Sequence, residues 1–221
     1  MGDLTYVLLI IVITIIPQIL VRNTYNRYAK VKVNSLQTGA DIVKEMLDAN
    51  GVDGVSIGQI SGELTDHYNS KTKRINLSNS NFNKPTVASI AVAAHETGHA
   101  LQDAKGYFFL KLRHGMGQTA IVASNLSWVF VYLGFILYFA PFVYLGIILL
   151  GIVVLFDLVT LPVEINASNR AKRYLADTGR YSYEELEGVS KVLNAAAFTY
   201  IAATLAGVLQ LLRLIRRFER S

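Results

Sequence analysis

The residues with the clearest chemical potential form one short segment, His95-Glu96-Thr97-Gly98-His99, which matches the pattern HExxH. Residues four positions apart lie on the same face of an α-helix, so both imidazoles can bind one metal ion. Glu96 directly follows the first histidine and can reach a water molecule at an open coordination position as a general base. The segment lies inside the apolar run 88–101, where polar side chains without partners would be costly. This placement favours a metal site over a chance match.

Zinc is the expected metal, with one ion per chain. The sequence contains no cysteine and only four histidines, so the ligands must be imidazoles and carboxylates. Such a donor set with one open position is typical of catalytic zinc, which lowers the pKa of bound water to about 7. The absence of cysteine also excludes disulfides, iron–sulfur clusters and a cysteine nucleophile.

Two histidines require a third protein ligand, and a carboxylate is expected. Positions 102 and 105 hold Gln and Lys, so no third histidine follows the motif at the usual spacing. Glu164 is the favoured candidate because it opens a polar segment after an apolar run. Two apolar runs lie between the motif and Glu164, and two membrane spans would return Glu164 to the same side of the membrane as the motif. Asp103 and Glu63 are the alternatives, although Asp103 is only one turn beyond His99.

Other side chains are candidates for supporting roles. His67 could support the metal site or donate to the transition state, but an ordinary surface histidine is an equal alternative. Asp157 is an ionisable residue inside an apolar run, which favours a functional role. It precedes Glu164 by two helical turns, and a protonated or interface-level acid is the alternative. Tyr68 and Tyr183 could supply a hydroxyl that stabilises an oxyanion.

The composition indicates a membrane protein. Hydrophobic residues make up 52% of the chain and charged residues 17%, against about 25% charged in ordinary soluble domains. The apolar residues cluster in four nearly uncharged runs, 4–21, 121–140, 142–161 and 195–212, each close to the roughly 20 residues that cross a bilayer. A purely soluble or disordered chain is therefore excluded. The fourth run also suits a helix buried in protein, so three and four spans both fit.

Basic residues flank the first and last apolar runs. Arg22, Arg27, Lys30 and Lys32 follow the first run, which predicts that the chain after it is cytoplasmic. The first run has no preceding Lys or Arg and no cleavage site, so an uncleaved anchor is predicted. The net charge of +5 is therefore attributed to topology and lipid headgroups rather than to nucleic acid. If the last run spans, four arginines lie outside, against the positive-inside tendency: Arg213, Arg216, Arg217 and Arg220.

The segments between the apolar runs predict short helices and strands. Residues 38–50 form an amphipathic helix that ends at Gly51. The motif lies on a helix from Pro85 through Ala100, with Asn83 as its cap. Three short strands are predicted, of which the last two form a hairpin: 55–60, 64–68 and 74–77. Two polar helices are predicted after the third apolar run: one from near residue 163 to Gly179, continuous with that run or kinked at Pro162, and one over 182–194.

The predicted fold is mainly α, a multi-pass integral membrane protein with a small catalytic domain that bears a short β hairpin or edge strand. Five regions are expected in order: a transmembrane anchor (1–21), a cytoplasmic catalytic region (22–120), a transmembrane hairpin (121–161), a third-ligand helix with a polar helix (162–194), and an apolar spanning or embedded helix with a basic tail (195–221).

Four stretches in order, spanning about residues 22–215, resemble the YugP-type membrane zinc metallopeptidases: QTGADIVKEMLDANGV, GELTDHYNSKTKRINLS, VAAHETGHALQDAKGYFFLKLR and LVTLPVEINASNRAKRYL. The resemblance implies a multi-pass membrane protein of the gluzincin type, in which two histidines of HExxH and a downstream glutamate bind zinc. Carried over by position, these residues are His95, His99 and Glu164, with Glu96 as the catalytic base.

A wider likeness extends to the HtpX-like and prenyl-protease-like membrane gluzincins, whose third ligand lies in an ExxAD pattern. Here the same stretch is Glu164-Ile165-Asn166-Ala167-Ser168. The acid that orients a metal-bound histidine is thus replaced by Ser168. A hydroxyl can still accept a hydrogen bond from an imidazole, but without a negative charge.

The predicted function is a membrane-bound zinc endopeptidase that hydrolyses peptide bonds with zinc-activated water and Glu96 as the base. The site is expected on the cytoplasmic side, where strand 64–68 or strand 74–77 could bind substrate by strand addition. The alternative is a zinc-binding membrane protein without protease activity, such as a metal transporter, a sensor or an inactive scaffold. The expected partners are peptide or protein substrates, including membrane proteins, and the lipid bilayer, but not nucleic acid.

Overall fold

A computed structural model describes residues 3–218 and is mainly helical, with one small three-stranded sheet, as predicted. Arg220, part of the predicted basic tail, lies outside the described residues. The elements in order are α1 (Asp3–Tyr28), α2 (Gly39–Ala49), β1 (Ser56–Ile60), β2 (His67–Asn69), β3 (Arg74–Ser78), α3 (Asn79–Asn83), α4 (Val87–Ala104), α5 (Phe108–Ile136), α6 (Ala140–Asp177) and α7 (Tyr183–Phe218).

Four of these helices, α1, α5, α6 and α7, are long and apolar enough to cross a membrane. The fourth apolar run therefore joins the candidate spans. It forms one helix, α7, with the polar segment 182–194 that was expected as a separate helix, because no proline interrupts the chain between them. Helix α6 likewise continues through Pro162 and ends before Gly179, which has a φ of +65°.

The chain divides into two compact units. The sheet unit consists of residues 17–107 and 163–199, and the helical unit consists of the described parts of residues 1–16, 108–162 and 200–221. The predicted catalytic region extended to residue 120, whereas this segment of the sheet unit ends at Tyr107, just before α5 begins.

Helix α2 gives the sheet unit one side of its hydrophobic core. Thr38 caps the helix and exchanges hydrogen bonds with Asp41: the Asp41 amide donates to Thr38 Oγ1 and the Thr38 amide donates to Asp41 Oδ2. The apolar face of α2, which includes Ile42 and Met46, is buried in a cluster with Ile90 and Ala94 of α4. The amphipathic helix predicted from the sequence is thus confirmed.

The sheet has the strand order β1-β3-β2, with β1 parallel and β2 antiparallel to the central β3. The predicted hairpin is confirmed, but its first strand was predicted to begin at Leu64 and instead begins at His67. Leu64 has a φ of 56°, and the Asp66 carboxylate accepts hydrogen bonds from the Ser78 amide at 2.7 Å and the Asn81 side chain at 2.9 Å. These side-chain hydrogen bonds take the place of the backbone hydrogen bonds that a longer strand would form here.

Helix α4 begins two residues later than predicted, with Thr86 rather than Asn83 as its cap. The Ser89 amide donates to Thr86 Oγ1 at 3.2 Å. Pro85 stays outside the helix because its carbonyl accepts a hydrogen bond from the Val33 amide. Asn83 instead ends the short helix α3, which the sequence did not predict.

In the helical unit, α5 and α6 form the predicted hairpin. Its turn lies at residues 137–139, before Pro141, because Pro141 takes a position in the first turn of α6 where its missing N–H costs nothing. Gly146 lets the two helices approach closely: an added Cβ there would lie 2.8 Å from the carbonyl oxygen of Ser127. Close approach at small residues is typical of packed membrane helices.

Candidate metal centre

The motif residues lie on α4 and Glu164 lies on α6, all within the sheet unit. The two helices make backbone contact at Gly98, where an added Cβ would lie 2.7 Å from the carbonyl oxygen of Ala167. Glu164 precedes Ala167 by three residues, so it lies about one turn away on the same helix face. The absence of a side chain at Gly98 therefore brings the Glu164 carboxylate to the motif histidines.

The structure brings His95, His99 and Glu164 together. Glu164 Oε2 lies 3.3 Å from His95 Nε2 and 3.6 Å from His99 Nε2, and all three potential ligand atoms lie within 4.8 Å of one another. Ligand atoms placed 2.0–2.1 Å from a tetrahedral zinc ion are about 3.4 Å apart. Two imidazole nitrogens and one carboxylate oxygen at these separations therefore fit zinc in both chemistry and spacing.

The site is buried and negatively charged. Glu164 is 2% exposed, and His99 and Glu96 are buried beside it. Burial by itself lowers the pKa of His99, but the hydrogen bond to Glu164 and the negative charges of Glu164 and Glu96 raise this pKa on balance. The same charges favour any cation between the rings. A divalent metal ion would offset the negative charges of both buried carboxylates.

Gln102 fixes the orientation of His99. Its Nε2 donates to the Val163 carbonyl at 2.8 Å and to Asn166 Oδ1 at 3.0 Å, which leaves Oε1 as an acceptor. His99 Nδ1 lies 3.0 Å from this oxygen. An imidazole that donates from Nδ1 keeps the lone pair of Nε2 for a metal ion.

Ser168 has the corresponding position at the other histidine. Its Oγ lies 3.1 Å from His95 Nδ1, and the side chain is buried. The hydroxyl therefore takes the place of the carboxylate that the ExxAD pattern provides. Both histidines consequently have neutral hydrogen-bond partners, which make an imidazole a less basic ligand than a carboxylate does.

Glu96 is held by the neighbouring strand. Its Oε2 accepts a hydrogen bond of 2.9 Å from the backbone amide of Tyr68 in β2. The Tyr68 hydroxyl points elsewhere and donates to Asp103 Oδ2, which also pairs with Lys73. Burial and this hydrogen bond raise the pKa of the Tyr68 hydroxyl, so it stays protonated. The strand thus positions the carboxylate of the residue that directly follows His95.

Comparison with known proteins assigns the chain to a family. The model of a family described as "Putative neutral zinc metallopeptidase" matches residues 4–219. The chain belongs to this zinc metallopeptidase family. It is also 39% identical over 201 residues to "Putative membrane protease YugP" from Bacillus subtilis (strain 168), an alignment that covers 91% of this chain and 89% of the relative. No solved structure gives a significant match. The predicted resemblance is thus confirmed, and the four apolar helices together with the name of this relative support membrane association.

The other carboxylates considered as metal ligands are not part of the cluster. Among the described residues, the group that could hold a metal ion contains His95, His99 and Glu164 and none of the alternatives. Asp103 is engaged by Tyr68 and Lys73, and Glu63 is exposed. Asp157 belongs to the helical unit, where its carboxylate faces Gly207 of α7.

His67 and Tyr183, which were considered for supporting roles, are not among the described residues that could hold a metal ion. His67 Nδ1 lies 2.9 Å from the Thr65 carbonyl, an acceptor only, so Nδ1 donates and Nε2 accepts from Asn76 Nδ2 at 3.1 Å. Both ring nitrogens are therefore used within the hairpin. Tyr183 is 79% exposed at the start of α7. Neither side chain joins the ligand cluster.

Two contributors were missed from the sequence: the Gln102 amide and the backbone N–H of Tyr68. Gln102 had a usable signal, because it lies three residues after His99 and so shares its helix face. A polar residue there, in a helix with few exposed positions, needs a buried partner. The Tyr68 amide had no signal, because every residue type except proline carries the same backbone donor.

Proposed function

We propose that this metallopeptidase is a membrane-bound zinc endopeptidase in which His95, His99 and Glu164 hold one zinc ion and Glu96 is the general base. The main support is that two imidazole nitrogens lie within 3.6 Å of one buried oxygen of Glu164. A second buried carboxylate, Glu96, directly follows His95 on α4. When bound, zinc supplies a Lewis acid that activates water and polarises a substrate carbonyl.

Glu96 moves the proton in this proposal. The Tyr68 amide holds Oε2, and Oε1 accepts the proton of the water that attacks the peptide carbonyl carbon. As the C–N bond breaks, the same carboxyl group returns that proton to the leaving nitrogen. The products are a carboxylic acid and an amine, and Glu96 ends in its initial ionised state.

Gln102 and Ser168 are positioning residues in this scheme. Each accepts a hydrogen bond from the Nδ1–H of one histidine, so that both Nε2 lone pairs are left for a metal ion beside Glu164 Oε2. Preset orientation removes the entropy that free imidazole rings would lose on binding a metal ion. We expect both residues to act on zinc affinity rather than on proton transfer.

Strand β2 is the proposed edge for substrate. The segment 74–77, considered from the sequence, is the central strand β3 and has both edges occupied, so it cannot receive a further strand. β2 is an edge strand of the sheet, and the Tyr68 amide on its outer side donates to Glu96. Tyr68 N–H and C=O share one side of an antiparallel strand. An extended peptide added at this edge would therefore pass beside the base.

We further propose that the site faces the cytoplasm. The basic residues Arg22, Arg27, Lys30 and Lys32 follow the apolar run of α1 and lead into the sheet unit. Positive charge close to the end of a span favours the cytoplasmic side. Substrates would then be cytoplasmic peptides or the cytoplasmic segments of membrane proteins.

The proposal is tested with purified full-length protein, by measuring zinc content and casein cleavage. Glu96→Gln should retain about one zinc per chain but lose cleavage, because an amide cannot accept the proton. Glu164→Gln should lose both, and excess zinc should restore cleavage only to Glu164→Gln. Glu63→Gln, an exposed carboxylate of the same unit, is the matched control and should behave as wild type.

A zinc-loaded wild-type protein that cleaves no peptide would instead support the transporter, sensor or scaffold alternative. Zinc that remains stoichiometric after replacement of both His95 and His99 by alanine would contradict the metal site itself. Equal cleavage by wild type and Glu96→Gln would contradict the assigned base.

A further inference from the structure

The Tyr68 side chain, which no step of the proposed mechanism uses, reaches a second carboxylate of α4. Its hydroxyl donates to Asp103 Oδ2 at 2.7 Å, while its backbone amide donates to Glu96 Oε2 at 2.9 Å. A hydroxyl carries one hydrogen, so this one is not free to stabilise an oxyanion, the role considered from the sequence. The structure gives the Tyr68 hydroxyl an anchoring contact instead.

The two carboxylates that Tyr68 contacts lie on one face of α4. Glu96 and Asp103 are seven residues apart, which is two helical turns and about 10.5 Å along the helix axis. Tyr68 bridges these two turns with its backbone at one end and its hydroxyl at the other. The ring is rigid, and two side-chain torsions connect the two ends. The position of the hydroxyl therefore restricts the position of the amide that holds Glu96.

The strand that carries Tyr68 gains from such an anchor because it is short. β2 has three residues, His67–Asn69, and lies at the edge of the sheet, whereas strands typically have roughly five or six residues. Tyr68 pairs with Ile75 of β3, but its own amide donates to Glu96 and not to β3. The sheet thus holds the Tyr68 backbone through its neighbours in the strand, and the contact with Asp103 fixes its side chain.

Asp103 also holds the turn that follows β2. Lys73, the last residue of that turn, has its Nζ 2.6 Å from Asp103 Oδ2, the same oxygen that accepts from the Tyr68 hydroxyl. The Lys73 side chain is half exposed, so the hydroxyl contact is the better shielded of the two. Hydrogen bonds to an ionised acceptor are roughly twice as strong as neutral ones. One carboxylate of α4 thus anchors both the strand and the turn of the hairpin.

We infer that Tyr68, through its hydroxyl, and Asp103 are positioning residues that set the place of the Glu96 carboxylate by anchoring the strand amide bonded to it. The inference rests on the proposed function, in which Glu96 takes a proton from the attacking water. A general base must lie within hydrogen-bond reach of the proton it takes, so a displaced carboxylate lowers the rate. Zinc affinity should not depend on this anchor, because Gln102 and Ser168 orient the two histidines.

The test uses purified, zinc-loaded, full-length protein and two measurements. Hydrogen exchange followed by fragment-resolved mass spectrometry reports on the amide of residue 68 and requires no cleavage, and casein cleavage reports on the rate. Tyr68→Phe removes only the hydroxyl, and Asp103→Leu removes its acceptor. Each variant should exchange this amide on the order of 10-fold faster, since a hydrogen bond to a charged group contributes about that factor. Each should also cleave casein on the order of 10-fold more slowly, because small displacements of a reacting group cost this much.

Two further variants separate positioning from general stability. Asp103→Asn should recover most of the protection and most of the cleavage, because its side-chain oxygen still accepts from the Tyr68 hydroxyl. Glu45→Leu is the matched control for Asp103→Leu. Glu45, on α2, likewise accepts a side-chain hydrogen bond, from Gln37, and pairs with a basic residue, Arg180. This control should lose stability but keep wild-type exchange and cleavage. Competition with a chelator should give wild-type zinc affinity for all four variants.

Three results would overturn the inference. Wild-type exchange at residue 68 in both Tyr68→Phe and Asp103→Leu would show that the hydroxyl contact does not hold the strand. Faster exchange with wild-type cleavage would show that the strand amide does not position the base. Equal losses in Glu45→Leu would show that general destabilisation is responsible. By contrast, the expected exchange pattern in a wild-type protein that cleaves no casein would contradict the proposed function and support the anchor on the Glu96 carboxylate.

Discussion

Replacement of Gln102 by leucine should weaken zinc binding without touching a metal ligand. Gln102 is fully buried and makes three hydrogen bonds, one to each of His99, Val163 and Asn166. Leucine has a similar size but accepts and donates no hydrogen bond. His99 Nδ1–H then loses its acceptor, whereas Asn166 Oδ1 keeps the hydrogen bond from Arg170. The Val163 carbonyl keeps its place in the continuous helix α6.

The structure therefore predicts that the buried Nδ1–H of His99 has no acceptor in this variant and that the orientation of the His99 ring is no longer fixed. The stranded donor should cost about 1–3 kcal/mol of unfolding free energy. Loss of a histidine's supporting hydrogen bond typically lowers metal affinity about 10–100-fold, which corresponds to roughly 1.4–2.7 kcal/mol of binding free energy. Zinc affinity is measured by competition with a chelator of known affinity, and stability by chemical unfolding of the metal-free protein.

Gln37→Leu is the matched control for this experiment. Gln37 is another multiply bonded glutamine of the sheet unit, whose side chain pairs with Glu45 and the Tyr181 hydroxyl. This variant should lose stability but keep wild-type zinc affinity. The reasoning is refuted if Gln102→Leu binds zinc as tightly as wild type, or if both variants lose affinity equally.

Three further substitutions test the surrounding structure. Gly98→Ala should cost about 1–3 kcal/mol of unfolding free energy and lower zinc occupancy, because the added methyl meets the Ala167 backbone; unchanged occupancy and thermal stability would contradict the close helix contact. Ser168→Asp should raise zinc affinity and Ser168→Ala should lower it, each by up to about 10-fold. Both affinities are measured by the same competition with a chelator, and the reverse order would argue against the His95 hydrogen bond. Single cysteines at the exposed positions Thr72 and Asp177, in a chain without native cysteine, should both resist a membrane-impermeant thiol reagent in intact cells and react after lysis; labelling of either one in intact cells would contradict the cytoplasmic site.

Local patterns predicted much of this molecule. The helix α2 followed from its apolar spacing and its stop at Gly51, and the β2–β3 hairpin followed from a polar turn between two short strands. HExxH fixed the spacing of two histidines on one helix face, since both residues belong to the same element. The four apolar runs likewise correspond to the four helices that could span a membrane.

Features that depend on tertiary contacts were less accessible. The hydrogen bond from Gln102 to Val163 joins residues 61 positions apart, so no local pattern contains it. The cap of α4 was misplaced because Asn83 and Thr86 are both good caps, and the Val33–Pro85 backbone bond decides between them. The strand predicted from Leu64 was shortened because the Asp66 side chain bonds to Ser78 and Asn81 instead.

The most direct measurement of the central claim is casein cleavage by the purified, zinc-loaded protein in water enriched in oxygen-18, followed by mass spectrometry of the products. A hydrolytic endopeptidase that uses Glu96 as its base should place one oxygen-18 atom in each new carboxyl terminus, and zinc-loaded Glu96→Gln should yield no labelled termini. No labelled termini with the zinc-loaded wild type, or equal labelling with Glu96→Gln, would contradict the claim.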